Sequence, residues 1–412
     1  MDDPNDHKPP CQRLFMDRHE LGNGLGHPSS PVQKSLSPSP GSSTTRFATM
    51  HTRKPKPFSL QRVNHLLHRV RAKRIAIGWL LAFSCASQAG MGIVERASET
   101  VRIPLTVFYP TAQAEQPVKK GPFDFSLAVN AQPDSGPHPL VLISHGSGGS
   151  PWVHVDLART LVENGFVVVM PEHHQDNYKD FSDPGPSTWK LRPAEVSQAI
   201  DLIAQDPLLG PVTSTEKVGV YGGSAGGHTA LSLAGGQWSP ARFRDHCEAH
   251  IAEDFSSCVG FITRLNGGWL DGLKKLTAKV VIRWRFGDAT PYRHEDRRIR
   301  AVIAAVPFAA DFDLSTLVKP KIPLGLILAG QDINQIPRFH GQAVQHTCET
   351  CTTIADMPQA GHGMMLSPLP PLGSTDSIAY QLLSDPPGFD RSQLPALHQK
   401  VADFFKSHLL TP

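Results

Sequence analysis

From about residue 100 onward, the sequence alternates short apolar runs with longer amphipathic stretches, and this alternation constrains the fold most strongly. A short, wholly apolar run is typical of a strand buried on both faces, as the strands of a parallel sheet are. The amphipathic stretches predict helices that cover such a sheet. The predicted strands occupy residues 102–109, 140–143, 166–170, 217–221, 300–306, 324–329 and 352–356. The sequence therefore predicts an α/β fold with a mostly parallel central sheet flanked by helices.

The predicted helices lie between these strands, with one interruption. They occupy residues 153–164, 192–205, 225–234 and 397–409. Pro193 falls in the first turn of the second helix, where proline is tolerated, and the strand at 102–109 alternates like an edge strand. Residues 236–298 break the alternation with mixed charge, aromatic residues and two cysteines, which predicts a helical insertion that forms a lid.

The N-terminal residues differ in composition from the predicted α/β domain at residues 97–412. Residues 1–60 are rich in Pro, Ser and Gly without apolar periodicity, so that 1–74 is predicted to be a disordered leader. The leader holds 13 Lys and Arg against 5 Asp and Glu, whereas the remaining residues hold 27 against 32. Because the basic excess lies outside the folded domain, we expect no nucleic-acid partner.

A basic cluster at residues 68–74 precedes a mostly apolar segment at 75–89, which ends with small residues at Ser87 and Ala89. This order is typical of a secretory signal peptide, and a spanning helix needs a longer run of about 20 apolar residues. We therefore expect an exported protein, periplasmic or secreted, with no stable membrane span after cleavage. An N-terminal membrane anchor and a buried helix are the alternatives. A signal peptide this far along a chain indicates a later translation start, for example at Met50.

Removal of the leader leaves four cysteines, and an even number in an exported chain indicates disulfides. Proximity along the sequence favours the pairs Cys247–Cys258 and Cys348–Cys351. The second pair also has the spacing of a redox pair or of half a zinc site. No second Cys pair or spaced His pair in the sequence completes such a zinc site.

The strongest chemical signal is the run Gly222-Gly223-Ser224-Ala225-Gly226, which lies between a predicted strand and a predicted helix. A Gly-x-Ser-x-Gly turn in this position is the nucleophile elbow of α/β-hydrolases. The sharp turn strains the serine, and small residues two positions before and after it avoid clashes. We therefore expect Ser224 to be a nucleophile and the N–H of Ala225 to face a developing oxyanion.

A serine hydroxyl is a weak nucleophile, so it needs a base that is itself held by an acid. In this fold the acid and then the histidine follow the serine along the chain, on loops after later strands. Asp332 follows the strand at 324–329, and His362 follows the strand at 352–356 between two glycines that would let its loop approach the elbow. We predict these two residues as acid and base. The alternatives are Asp311, Asp313 and Asp356 for the acid, and His340 and His346 for the base.

The loop at residues 144–149 has the sequence Ser-His-Gly-Ser-Gly-Gly and follows a predicted strand. In α/β-hydrolases this loop supplies the second oxyanion N–H, and Ser147 is the predicted donor. We interpret His145 as a brace for the loop rather than as a base. The run at residues 172–176 contains acidic residues and histidines, and its position after a strand predicts rim residues rather than a metal site.

Taken together, these residues resemble bacterial dienelactone-hydrolase-like serine hydrolases related to platelet-activating-factor acetylhydrolase. The matching features span residues 101–409. They are Tyr109-Pro-Thr at a strand end, Gly121-Pro-Phe ahead of the 140–143 strand, Arg192-Pro at a helix start, the Ser224 elbow, and the Asp332 and His362 loops. The resemblance implies a metal-independent esterase without a cofactor that acts on short-acyl or lipid esters. Dienelactone hydrolases themselves use a cysteine nucleophile, where this elbow has serine.

We therefore predict a serine carboxylic-ester hydrolase that forms an acyl-enzyme with a small-molecule or lipid ester. The alternatives are a lactone or dienelactone hydrolase and, in a different class, a catalytically inactive hydrolase-fold binding protein. Residues 236–298 and 367–371 are predicted to shape the pocket, with Met364, Met365 and Trp269 as candidate wall residues. No amphipathic helix suited to membrane docking is predicted outside the lid.

Overall fold

A computed structural model describes residues 90–97 and 103–410. The predicted leader at 1–74 and the signal-peptide segment at 75–89 therefore lie outside the described residues. Within the described residues, no helix has both the length and the apolar character that a membrane span requires.

The strands build one large sheet and one small ribbon. In chain order they are β1 (Gly90–Arg96), β2 (Leu105–Thr111), β3 (Gln116–Lys120), β4 (Phe123–Val129), β5 (His138–Ser144), β6 (Val167–Pro171), β7 (Thr213–Gly223), β8 (Gln237–Trp238), β9 (Ile299–Ala305), β10 (Phe312–Asp313), β11 (Leu324–Ala329) and β12 (Thr352–Met357). The ribbon pairs β10 with β8, and the large sheet has the order β12-β11-β9-β7-β5-β6-β2-β1-β4-β3.

The helices follow the same alternation along the chain. They are α1 (Val155–Glu163), α2 (Pro186–Gln205), α3 (Ala225–Leu233), α4 (Pro240–His250), α5 (Phe255–Val259), α6 (Asp271–Arg285), α7 (Gly341–Thr347), α8 (Ile378–Leu383) and α9 (Leu394–Leu409). Helices α4, α5 and α6 all lie in residues 236–298, between α3 and β9. We call these residues the insertion.

The sheet is mostly parallel, as the sequence predicts. Strands β12, β11, β9, β7, β5 and β6 run parallel to one another, and β6 pairs antiparallel with β2. Alternate residues of β5 enter two separate apolar clusters: Leu140 and Leu142 join one, and Val141 and Ile143 the other. Because both faces of the strand are buried, its apolar run is continuous. The predicted α/β architecture is confirmed.

The first predicted strand does not lie at the edge of the sheet, although its alternation predicts an edge strand. All seven residues of β2 are buried, and β1 pairs with it antiparallel. The sheet continues beyond β1 with β4 and β3. Strand β1 begins at Gly90, ahead of the domain boundary predicted at residue 97, and it is this strand that covers β2.

Helix α2 begins six residues earlier than predicted, at Pro186. Pro193 therefore lies inside the helix instead of in its first turn. The first turn is held by Thr188, whose Oγ1 accepts a hydrogen bond from the N–H of Gly185 at 3.3 Å. Pro186, with its fixed φ, occupies the position where proline favours a helix start.

Two disulfides link elements of the described structure. Cys247 of α4 is bonded to Cys258 of α5 within the insertion. Cys348, at the end of α7, is bonded to Cys351, directly before β12. Both predicted pairings are confirmed.

Candidate active site

Ser224 lies at the junction of β7 and α3 in a strained backbone conformation. Its φ of +56° and ψ of −115° are rarely adopted by residues with a side chain, and such strain costs of order 1–3 kcal/mol. Neighbouring backbone groups hold it there. The N–H of Ser224 donates to the carbonyl of Ala305 at 3.0 Å, and its own carbonyl accepts from the N–H of Phe308 at 3.2 Å. The surrounding strand and loop thus impose the turn on the serine.

The glycines of the elbow are required by close backbone contacts. A Cβ atom at Gly222 would lie 1.9 Å from the carbonyl oxygen of Gly226, and a Cβ atom at Gly226 would lie 1.9 Å from that of Ser144. No side chain fits at such distances. The strand, the helix start and the neighbouring strand β5 therefore approach one another closely around Ser224.

The side chains of Ser224, His362 and Asp332 form a continuous hydrogen-bonded chain. Oγ of Ser224 lies 3.0 Å from Nε2 of His362, and Nδ1 of His362 lies 2.6 Å from Oδ2 of Asp332. The exposed fractions of Ser224, Asp332 and His362 are 6%, 4% and 2%. In this geometry His362 can accept the serine proton at Nε2 while it donates its Nδ1–H to Asp332.

Asp332 is fixed by its own loop. Its Oδ1 accepts hydrogen bonds from the backbone N–H groups of Asn334 and Gln335, each at 2.8 Å. The other carboxylate oxygen remains directed at His362. Both oxygens are thus engaged, and the orientation of the imidazole follows from that of the loop.

The glycines that flank His362 serve a different contact from the one predicted. A Cβ atom at Gly363 would lie 1.8 Å from the carbonyl oxygen of Leu383, and one at Gly361 would lie 2.9 Å from Cδ of Pro386. These neighbours belong to α8 and the segment after it, not to the elbow. The glycines therefore let the histidine loop pack against the C-terminal part of the chain.

The alternative acids and bases are engaged or placed elsewhere. Asp311 Oδ2 lies 3.0 Å from Nε2 of His228, and His340 Nε2 lies 3.0 Å from Oδ2 of Asp254. Asp313 accepts from Arg242 at 2.8 Å. The remaining two lie on other elements, Asp356 in β12 and His346 in α7.

Gln335 contacts Ser224, and the sequence did not predict this contact. Its Nε2 donates to Oγ of Ser224 at 3.1 Å, and its side-chain Oε1 is buried without a hydrogen-bond partner among the described residues. Because an amide N–H occupies one lone pair of the hydroxyl oxygen, the serine proton is directed toward His362. No residue pattern marks this glutamine, which is three residues beyond Asp332 in the same loop.

The predicted oxyanion loop is braced by a buried ion pair. Asp176 Oδ1 accepts from Oγ of Ser147 at 2.6 Å and from the N–H of Gly148 at 2.9 Å. Its other oxygen accepts from Arg192 Nη2 at 2.7 Å, and Arg192 Nη1 donates to the carbonyl of His145 at 2.6 Å. Both charged side chains are fully buried. The loop is thereby fixed at three points beside Ser224.

Glu172, His173 and Asp176 of the run at 172–176 are buried in the interior, which corrects our expectation of rim residues, whereas His174 is exposed. His173 and Asp176 have exposed fractions of 0%. His173 bridges Oγ of Ser144 and Oε2 of Glu195, each at 2.7 Å. Burial lowers the pKa of His173 and of His145 well below the usual value, so both rings are neutral at pH 7. The run therefore packs beneath the oxyanion loop.

A cavity of about 610 Å³ opens beside Ser224. Ser147 and Ala225, the predicted oxyanion donors, line it together with Ser224. The rest of its wall is largely apolar and comes from the α2 region, the insertion and the loop after β9. Its aromatic members are Phe181, Trp189, Phe243, Phe261, Phe286 and Phe308.

The three candidate wall residues do not line this cavity. Met364 and Met365 are buried in the core, where Met365 Sδ lies 2.7 Å from the position of a Cβ atom at Gly223. Trp269 is 89% exposed to solvent. Met365 packs against the elbow, where the glycines have no side chains of their own to fill the space.

One group within the described residues has the composition of a metal site: His246, Asp254 and His340. Their ligand atoms lie within 4.8 Å of one another. However, Nδ1 of His340 accepts the N–H of Ala309 at 3.0 Å, so the ring proton is on Nε2, the atom that faces Asp254. A metal would need the lone pair of that same nitrogen. The group therefore fits a hydrogen-bonded brace and not a metal site.

Comparison with known proteins identifies the fold. No protein-family model matches the chain, and no curated protein sequence matches it. Among solved structures, the chain is similar to a ferulic acid esterase from Streptomyces cinnamoneus. The TM-score is 0.51 and the sequence identity 16%, over 79% of this chain and 92% of that chain. At this identity the similarity concerns the fold alone, and the chain has the fold of a hydrolase of the α/β class.

Proposed function

We propose that the protein is a serine carboxylic-ester hydrolase, with Ser224 as nucleophile, His362 as general base and Asp332 as the acid that orients it. The observation that carries this proposal is the buried hydrogen-bonded chain Ser224–His362–Asp332 on a strained elbow. A structural glycine turn needs no such strain, and a buried imidazole between a hydroxyl and a carboxylate is the arrangement that activates a serine.

In the first step, Oγ of Ser224 attacks the ester carbonyl as its proton passes to Nε2 of His362. The backbone N–H groups of Ala225 and Ser147 hold the oxyanion of the tetrahedral intermediate. The imidazolium then gives its proton to the oxygen of the leaving alkoxide. The alcohol departs, and the acyl group remains bound to Ser224 as an acyl-enzyme. Asp332 stabilises the imidazolium throughout and keeps its Nδ1 proton in place.

In the second step, water replaces the alcohol. His362 takes a proton from the water as its oxygen attacks the acyl carbonyl, and returns the proton to Oγ of Ser224 when the intermediate collapses. The acid leaves and the free enzyme is restored. The preformed oxyanion loop, braced by Asp176 and Arg192, serves both intermediates without reorganising.

The apolar cavity supports an ester with an apolar acyl or alcohol group. Its volume of about 610 Å³ is in the range typical of small-molecule sites. The short-acyl and lipid esters implied by the resemblance to platelet-activating-factor acetylhydrolase-like enzymes both fit this description. The aromatic lining also accommodates an aromatic acyl group. Ferulic acid, after which the structurally similar esterase is named, supplies such a group.

Two features support export of the enzyme. The pairs Cys247–Cys258 and Cys348–Cys351 are disulfides, which persist in oxidising compartments. The basic and apolar order of residues 68–89 is that of a signal peptide. Together they support a periplasmic or secreted location.

The test is hydrolysis of p-nitrophenyl esters from acetate to dodecanoate by the purified protein, with Ser224→Ala as the matched variant. We expect turnover that falls by at least about a thousandfold in Ser224→Ala, because the residual rate would come from binding and the oxyanion hole alone. The chain-length optimum then separates a short-acyl esterase from a lipase. A folded protein without Ser224-dependent turnover of these esters, of methyl ferulate or of a lactone would overturn the proposal in favour of a binding role.

A further inference from the structure

Helix α6 and the turn before it present large apolar side chains to solvent. Their exposed fractions lie between 59% and 89%, far above those of the core. The residues are Trp269, Leu273, Leu276, Val280 and Trp284. Isolated exposed apolar residues are ordinary, but a contiguous patch that includes two tryptophans marks an interaction surface.

We call these five side chains the stripe. The four within α6, from Leu273 to Trp284, are spaced three or four residues apart and so share one helix face over roughly 16 Å at 1.5 Å per residue, and Trp269 lies in the turn before the helix. On the opposite face, Ile282 is only 3% exposed, and Lys274 and Ala278 are half-buried. The stripe is thus an outward apolar face on a helix whose other side already packs against the protein.

Basic residues flank the stripe. The helix contains five Lys and Arg residues and one acidic residue, Asp271. Without this helix, residues 75–412 hold 22 Lys and Arg against 31 Asp and Glu. Two of the helix cations are paired outside it, Arg283 with Glu248 at 2.6 Å and Arg285 with Asp183. A third, Lys274, is paired with Asp271 at 3.1 Å, which leaves Lys275 and Lys279 without an acidic partner among the described residues, on an otherwise acidic domain.

The same helix walls the cavity beside Ser224. Ala278, Val281 and Ile282 line that cavity, and so does Leu273, which also belongs to the stripe. The cavity and the exposed apolar face are therefore continuous. A surface that covered the stripe would lie against the helix that forms this wall of the cavity.

We propose that α6 docks the protein onto an anionic lipid surface, with the apolar stripe inserted at the boundary between headgroups and acyl chains. A helix with Trp and Leu on one face and Lys and Arg beside it is the amphipathic pattern that lies in a membrane interface. The long cationic side chains extend from the stripe to the lipid phosphates. In its consequence for catalysis, the inference rests on the proposed function: the ester would enter the cavity from the lipid phase.

The experiment measures sedimentation of the Ser224→Ala protein with vesicles of phosphatidylglycerol and phosphatidylcholine, so that lipid is not consumed. We expect binding that weakens as salt rises. Trp269→Ser with Trp284→Ser should weaken it at least about tenfold, because two interfacial anchors are lost. Lys275→Glu with Lys279→Glu should weaken it similarly on the anionic vesicles. None of these four residues lines the cavity.

The matched control is Val129→Ser on β4, an exposed apolar residue outside α6, 55% exposed. It should bind vesicles like the parent, and all variants share the same N-terminal segment. The inference is overturned if the protein does not sediment with anionic vesicles, or if the tryptophan variant binds as well as the control. It is also overturned if that variant dissociates a dimer while vesicle binding is absent, because a second copy would then cover the stripe.

A separate hydrolysis measurement tests the proposed function. Hydrolysis of soluble p-nitrophenyl acetate is measured with Ser224 present in the tryptophan variant and in the control. Activity without vesicle binding would remove the docking inference alone. Vesicle binding without Ser224-dependent hydrolysis would remove the esterase proposal alone.

Discussion

At the scale of single residues, Ser224 has a strained backbone conformation, and hydrogen bonds hold both its backbone and its side chain. The positive φ of +56° raises the energy of the folded chain, and it persists because Ala305 and Phe308 hold the backbone on both sides. The side chain is held as firmly, with His362 on one side of Oγ and Gln335 on the other. Replacement of a neighbour should therefore change the reactivity of the hydroxyl before it changes the fold.

Gln335 offers the sharpest test of this description. Gln335→Leu keeps the volume of the side chain but removes the amide that donates to Ser224 Oγ at 3.1 Å. A neutral hydrogen bond contributes about 1 kcal/mol, so we expect kcat/KM for p-nitrophenyl acetate to fall about fivefold, mainly through kcat. Steady-state kinetics measures the change.

The control for Gln335→Leu is thermal unfolding, which should stay close to that of the parent because the removed Oε1 has no hydrogen-bond partner among the described residues. Unchanged kcat in a folded variant would contradict the positioning role. A fall confined to KM would also contradict it, since the amide would then bind substrate and not orient the hydroxyl.

At the scale of elements, the insertion is tied to the loop of Asp332 through Asp254. This buried carboxylate, between α4 and α5, accepts from His246 at 2.8 Å and from His340 at 3.0 Å. It also accepts the N–H of Ile336, next to Gln335, at 3.4 Å. Burial raises the pKa of Asp254, but the hydrogen bonds from the two histidines outweigh it and lower the pKa to about 2.

Asp254→Asn should therefore destabilise the protein in a pH-dependent manner. The carboxyl pKa is 3.8 in the unfolded chain and about 2 in the folded one, which corresponds to about 2 kcal/mol. Since the folded pKa is depressed, this contribution is complete well above pH 4 and disappears as the pH falls toward 2. Urea unfolding should give a difference of about 2 kcal/mol at pH 6.5 and about half of that at pH 3.

The matched control is Asp124→Asn on β4, whose side chain is 81% exposed. It should leave the free energy of unfolding unchanged at both pH values. A cost of Asp254→Asn that does not vary with pH would show that the charge of the carboxylate is not what stabilises the junction.

At the scale of the whole molecule, the central strands were predictable because a strand buried on both faces has a continuous apolar sequence. Strand β11 has the predicted bounds, β5 and β7 contain their predicted segments, and β6 is shifted by one residue from the predicted 166–170. Outer strands β3 and β4 have no such continuous apolar run. Strands β3 and β4 carry exposed residues along much of their length, and β1 follows directly on the apolar segment at 75–89.

The candidate site was predictable only where the fold itself dictates residue type and order. Glycine is required at two elbow positions because a Cβ atom there would lie 1.9 Å from a carbonyl oxygen. Asp332 and His362 follow the ends of parallel strands that meet at one edge of the sheet. Gln335, Asp176 and Arg192 act through contacts that no local pattern encodes. The start of α2 was missed because proline inside a helix is rare, so Pro193 was placed in the first turn.

The central claim is that the whole fold serves to present one activated serine, and covalent trapping tests it most directly. The purified protein is treated with a fluorophosphonate and analysed by intact mass and peptide mapping. We predict one adduct, on Ser224, that is absent from Ser224→Ala and forms at least about a hundredfold more slowly in His362→Ala. An adduct on another serine, or a folded protein that takes up none, would contradict the account.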